Sequence, residues 1–127
     1  MVDAANVVGS RPDGWWRDRV GAARRLLGRL AAWQEGLPDT AVVVVLEGAA
    51  CRAVSGDDAP DTGKMRVVLA PGSGDDTIVS VTAELVAQSH KPEVTVVTAD
   101  RALRQRVEAA GADTIGPGWL LNQLDNL

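Results

Sequence analysis

Ala41-Val42-Val43-Val44-Val45-Leu46 contains no polar side chain, and this feature restricts the fold more than any other. A strand with one wet face alternates apolar and polar residues. An unbroken Val-rich run belongs to a strand covered on both faces, as in a parallel sheet layered between helices. Met65-Arg66-Val67-Val68-Leu69-Ala70 and Glu93-Val94-Thr95-Val96-Val97-Thr98 read as two more such strands. Asp113-Thr114-Ile115 is a short last one, and Met1-Val2 ahead of Asp3 leaves space for only a very short first one.

Between these runs the period changes. Trp16, Val20, Ala23, Leu27 and Leu30 are spaced by alternate steps of four and three, which predicts a helix over about 15–35 with Trp16 in the core. Gly36-Leu37-Pro38 stops it. Ile78, Val81, Thr82 and Leu85 mark a second helix over about 75–88. A third over about 102–110 ends at Gly111, and a last one spans about 119–124. The polar stretch 52–64 reads as a mobile loop. Strands alternating with helices imply an α/β domain with a parallel sheet, and 127 residues suffice for one domain, 1–127.

The lone Cys51 excludes an internal disulfide and reads as an inert thiol. No stretch approaches the ~20 apolar residues of a membrane span, and the start lacks a signal-peptide pattern. The expectation is a cytoplasmic protein with no membrane partner. A net charge of −4 argues against a passive nucleic-acid coat, but not against an enzyme with acidic ligands and a local basic rim.

In a parallel α/β sheet, ligands bind outside the carboxyl ends of the strands. Asp3 and Asn6 follow the first strand, Glu47 the second, Asp75 and Asp76 the third, and Thr98, Asp100 and Arg101 the fourth. Clustered carboxylates repel one another unless a cation neutralises them. All-oxygen ligands without His or Cys suit Mg²⁺ or Mn²⁺ rather than zinc. Each acid also has a plain structural reading. Ser73 to Asp76 fits a capping box, Asp100 fits a helix cap, and Asp3 and Glu47 fit polar strand ends. Their convergence on one edge is what those readings leave unexplained.

Val2-Asp3-Ala4-Ala5-Asn6-Val7, Gly74-Asp75-Asp76-Thr77-Ile78 and Val94-Thr95-Val96-Val97-Thr98-Ala99-Asp100-Arg101 together resemble the NYN branch of the PIN-like nuclease superfamily, near the YacP-like proteins. The strand-one Asp with Asn three residues on, the acidic helix start and the T-x-D-R turn occur in order on matching elements. Two departures are the short first strand and the family's acid after strand two, which here is Glu47. The resemblance implies a three-layer, Rossmann-like sheet in order 3-2-1-4-5. It also implies metal-dependent hydrolysis of RNA, single strands favoured. Asp3, Asp76 and Asp100 are then the catalytic set. Asp3, Asp75, Asp76 and Asp100 hold Mg²⁺ or Mn²⁺, with Asn6, Glu47 and Thr98 in support. Asn6, Arg11, Ser73 and Arg101 contact the substrate. The sequence leaves room for a homodimer.

Arginines crowd two regions, at Arg11, Arg17, Arg19, Arg24, Arg25 and Arg29, and at Arg101, Arg104 and Arg106. They read either as solvated helix faces or as a rim for the phosphate backbone, with Trp15 and Trp16 as a stacking surface nearby. His90 reads as a solvated surface residue. Gly72-Ser73-Gly74 hints at a dinucleotide loop, but Thr77 stands where a third glycine is needed, and Asp75 and Asp76 would repel a pyrophosphate. A nucleotide pyrophosphohydrolase lacks its E-x-x-E spacing here. A non-catalytic PIN-like module that binds RNA or protein is the rival from another class.

Overall fold

The computed structural model describes residues 1–88 and 93–127. In chain order the elements are β1 (Val2–Asp3), α1 (Ala4–Val8), a 3-10 turn (Trp15–Arg17), α2 (Arg19–Glu35), β2 (Val43–Leu46), a 3-10 helix (Gly48–Val54), β3 (Arg66–Leu69), α3 (Gly74–Gln88), β4 (Thr95–Val97), α4 (Arg101–Ala109), β5 (Asp113–Ile115) and α5 (Pro117–Asp125). The five strands form one sheet in the order β3-β2-β1-β4-β5, as predicted, and every pairing is parallel. Among the described residues no helix is long and apolar enough to cross a membrane.

Successive side chains of a strand point to opposite faces, and the two cores follow that rule. Val2, Val44, Leu46 and Val97 join the core built with α1, α2 and α5. Val45 and Val96 join Ile78, Leu103 and Val107 beneath α3 and α4. Covering both faces is what the all-apolar run at β2 requires. Each fully buried Leu or Val here contributes about 1.5–3 kcal/mol. Leu27, with no exposed surface, is a position where truncation to Ala costs about 2–5 kcal/mol.

The strand order reverses between β2 and β4, on either side of β1. Val2 is in register with Val44 on one side and Val97 on the other. That reversal is a topological switch point, where an open α/β sheet leaves a crevice at its carboxyl edge.

Two expectations need correction. Trp16 is not in the core but 52 % exposed. Gly14 takes a left-handed turn at φ +83°, and Asp18 caps α2 by accepting the Gly21 N–H at 2.8 Å. The helix therefore begins at Arg19, and Trp16 falls off its stripe. A Cβ at position 21 would meet Asp18 Oδ2 at 2.3 Å, so this cap needs glycine there. Residues 4–8, to which the sequence assigns no element, form a one-turn helix capped by Asp3 through the Asn6 N–H. Residues 52–54, the start of the stretch read as loop, belong to the 3-10 helix Gly48–Val54, whose small residues Ala50, Cys51 and Ala53 lie on the α2-side core.

Candidate active site

Asp3 is the last residue of β1 and is buried, 6 % exposed. Val2 faces the α1/α2 core, so alternation turns Asp3 to the α3/α4 side. Its Oδ2 accepts the Thr98 hydroxyl at 2.9 Å, and its Oδ1 accepts the Asn6 N–H at 3.4 Å. Thr98 Oγ1 in turn accepts the Asp100 N–H at 3.1 Å. Asn6 Oδ1 accepts the Ala99 N–H at 2.8 Å. Asn6 and Thr98 thus tie the start of α1 to the turn after β4 and close the switch point around Asp3.

Asp100 caps α4 by accepting the Leu103 N–H at 3.1 Å. A cap uses one lone-pair direction of a carboxylate and leaves others open. Glu47, just past β2, accepts the Gly74 N–H at 2.7 Å and so sits against the first residue of α3. The next two residues part company, because neighbours on a helix point about 100° apart. Asp75 stands in the field of Asp100 and Glu47. Asp76, predicted among the catalytic set, turns to α4 and pairs with Arg106 at 2.9 Å.

Burial first, and then the charges of Asp75 and Glu47, hold the Asp3 carboxyl above the usual carboxylate range. The hydrogen bonds from Thr98 and Asn6 oppose that rise. Asp75 is raised by burial, then by Asp100 and Glu47, with Arg106 opposing. Asp3, Glu47, Asp75 and Asp100 therefore share one negative field. Among the described residues no lysine or arginine forms an ion pair with any of them. In chemistry this all-oxygen donor set fits a hard divalent ion. As the side chains lie, no three metal-ligating residues among those described close on one point.

Of the two arginines expected at the substrate, one is engaged elsewhere. Arg11 reaches Asp125 of α5 at 2.7 Å, a partner it shares with Arg29, and so helps clamp the last helix. Arg101 is exposed on the first turn of α4, next to Asp100. Arg104 Nε donates to the Thr98 carbonyl at 2.9 Å and braces the turn, a role nothing local in the sequence signals. Ser73 is exposed just before α3. His90 lies outside the described residues.

This arrangement can be set beside known proteins. The profile of the YacP-like NYN domain matches residues 1–127, the whole chain. The chain belongs to the YacP-like NYN domain family. Among curated proteins none matches the sequence. Among solved structures, the YacP-like domain is similar to a crystal structure of mutant Rae1 (YacP) from Bacillus subtilis. The TM-score is 0.75 and the identity 17 %, covering 98 % of this chain and 73 % of that one. At that identity the likeness is one of fold, and it extends to all five strands of the YacP-like sheet.

Proposed function

We propose that this domain is a divalent-metal-dependent ribonuclease that hydrolyses phosphodiester bonds at the carboxyl edge of its sheet. Membership of the YacP-like NYN family supports a nuclease-like domain. The observation that carries the finer reading is the pair Asp3 and Asp75 at the switch point, both raised by burial and by neighbouring acids and, among the described residues, without an ion-pair partner. Asp3, Asp75 and Asp100 are the residues that would hold Mg²⁺ or Mn²⁺, with Glu47 reaching it through water. The chemistry such an ion supplies is a more acidic water and positive charge opposite the phosphate. Thr98 orients the Asp3 carboxylate, Asn6 fixes the turn that carries Asp100, and Arg101 meets the backbone of the strand.

The test is cleavage of single-stranded RNA with Mn²⁺ by wild type, Asp3→Asn and Asp75→Asn. Slow cleavage by wild type and none by either variant is expected. Equal cleavage by all three overturns the reading. The second reading, a non-catalytic module that binds RNA, is favoured by the absence of three convergent metal ligands among the described residues. RNA binding without cleavage, across Mg²⁺ and Mn²⁺, would select it.

A further inference from the structure

Trp16 is half in solvent, and it is not alone. Trp15 stands perpendicular to it, ring centroids 6.1 Å apart. The Arg17 guanidinium lies over the Trp16 ring at 5.9 Å, and that of Arg19 over the Trp15 ring at 5.5 Å. An exposed indole ordinarily costs hydration and gains nothing for the fold. One held rigid by an aromatic edge and a cation is preorganised to receive a flat ligand. Gly14 and the Asp18 cap fix this turn in place from either side.

The position follows from the topology. α2 precedes β2 in a crossover between parallel strands, so its N-terminus lies at the carboxyl edge of the sheet, the edge of the acids. The Trp15 ring also lies close to Gly9, with ring carbons 3.7 and 3.9 Å from where a Cβ there would stand. Gly9 caps the far end of α1, whose near end is capped by Asp3. At 1.5 Å per residue, that helix sets Gly9 about 9 Å along its axis from Asp3.

The charge is also specific. The chain is acidic as a whole, with a net charge of −4. Among the described residues, however, neither Arg17 nor Arg19 has an ion-pair partner. The acid between them, Asp18, is turned into the helix start as its cap. A half-exposed indole pair flanked by cations that lack an ion-pair partner among the described residues is complementary to a single-stranded polynucleotide, whose bases stack and whose phosphates are negative. We infer that Trp15, Trp16, Arg17 and Arg19 form a base-stacking subsite that seats single-stranded RNA beside the acidic edge. The inference rests on the ribonuclease reading and adds to it where the strand lies.

The experiment measures binding of a fluorescein-labelled uridine strand, and of a matched strand with abasic sites, without divalent metal so that neither is cut. Trp16→Ala and Trp16→Leu should weaken binding of the base-bearing strand at least about fivefold, and leave the abasic strand alone. Trp16→Phe should retain most of the affinity. Arg17→Ala should weaken both strands and lower the salt slope of log K by about 0.7. Melting curves should show all four variants folded, since the Trp16 ring is exposed; Leu keeps apolar bulk if Ala does not. Unchanged affinity in Trp16→Ala and Trp16→Leu, or equal loss on both strands, overturns the inference and leaves the ribonuclease reading to its own cleavage test. If wild type binds neither strand and cuts none, both fall.

Discussion

Gly74 and Glu47 occupy one another's space. The Gly74 N–H donates to Glu47 Oε2 at 2.7 Å, and a Cβ on Gly74 would stand 2.9 Å from the Glu47 carboxyl carbon. The close approach is what brings Glu47 into the negative field of Asp3 and Asp75. Because a Glu side chain is flexible at its far end, Gly74→Ala should displace the carboxylate rather than the backbone. We predict a melting temperature within a few degrees of wild type, a cost of about 1 kcal/mol or less. Mn²⁺-dependent cleavage should fall as far as in Glu47→Gln. A Gly74→Ala protein with full activity would mean that Glu47 has no part in the site.

Asp75 and Asp76 are adjacent but should behave as opposites. Asp75→Asn removes a charge from the acidic field, so metal-free protein should melt higher and cleavage should be lost. Asp76→Asn removes chiefly a surface pair with Arg106, whose side chains are 46 % and 77 % exposed, Arg106 first, since Asp76 is the smallest of the charges acting on Asp75. It should cost about 0–1 kcal/mol and leave most of the activity. Kinetics on the two variants side by side settle the order, and a larger loss at Asp76 than at Asp75 reverses it.

The raised carboxyls set the sign of a pH effect. Asp3 and Asp75 hold protons more tightly folded than unfolded. They cost nothing at low pH, where both states are protonated. The cost grows as pH rises from the ordinary carboxylate pKa of about 4 through the raised folded value. Metal-free Asp75→Asn should therefore match wild type in acid and exceed it near neutrality. Asp125, lowered by Arg11 and Arg29, has the reverse sign. Its contribution is present at neutral pH and is lost as pH falls through its depressed folded value. Asp125→Asn should thus melt below wild type at neutral pH, with the gap closing in acid. Melting curves in EDTA across pH read both trends, and a flat Asp75→Asn difference would remove the electrostatic argument for the cluster.

The sequence shows what repeats along the chain and hides what only the fold brings together. The Val-rich run at β2 demanded two covered faces, and Val44 and Val45 go to opposite cores. Strand ends located Asp3, Glu47 and Asp100 on one edge, because that depends only on direction along the chain. Which of Asp75 and Asp76 turns inward depends on the rotation of α3 against α4, and adjacent identical residues carry no trace of it. Arg11 looked free because its partner, Asp125, lies 114 residues away. The Trp16 error had a local signal: Asp18 with Gly21 three residues on is a cap, and a cap at 18 ends any helical stripe reaching back to 16. The helix at α1 is one turn long, too short to show a period at all.

Metal binding offers the last prediction, and it needs no substrate. The unfolded chain scatters Asp3, Asp75 and Asp100, so an ion that uses them binds the folded state alone and stabilises it by RT ln(1 + [L]/Kd). At a hundredfold excess over Kd that amounts to about 2.7 kcal/mol, or on the order of 10 °C in the melting temperature of a domain this size. Mn²⁺ should therefore raise the melting temperature of wild type, and an equal ionic strength of NaCl should not. Asp3→Asn tests the centre of the site. The amide keeps the shape and still offers one oxygen to the Asn6 N–H. Its NH₂ cannot accept the Thr98 hydroxyl, so Thr98 must turn. The variant should fold, start at least as stable as metal-free wild type near neutral pH because a buried charge is gone, and respond little to Mn²⁺. Thr98→Val separates the two effects. It leaves the Asp3 charge without its hydroxyl partner, so the metal-free protein should melt lower while the Mn²⁺ response survives. If wild type and Asp3→Asn shift equally with Mn²⁺, the ion binds elsewhere and Asp3 is a structural cap of α1.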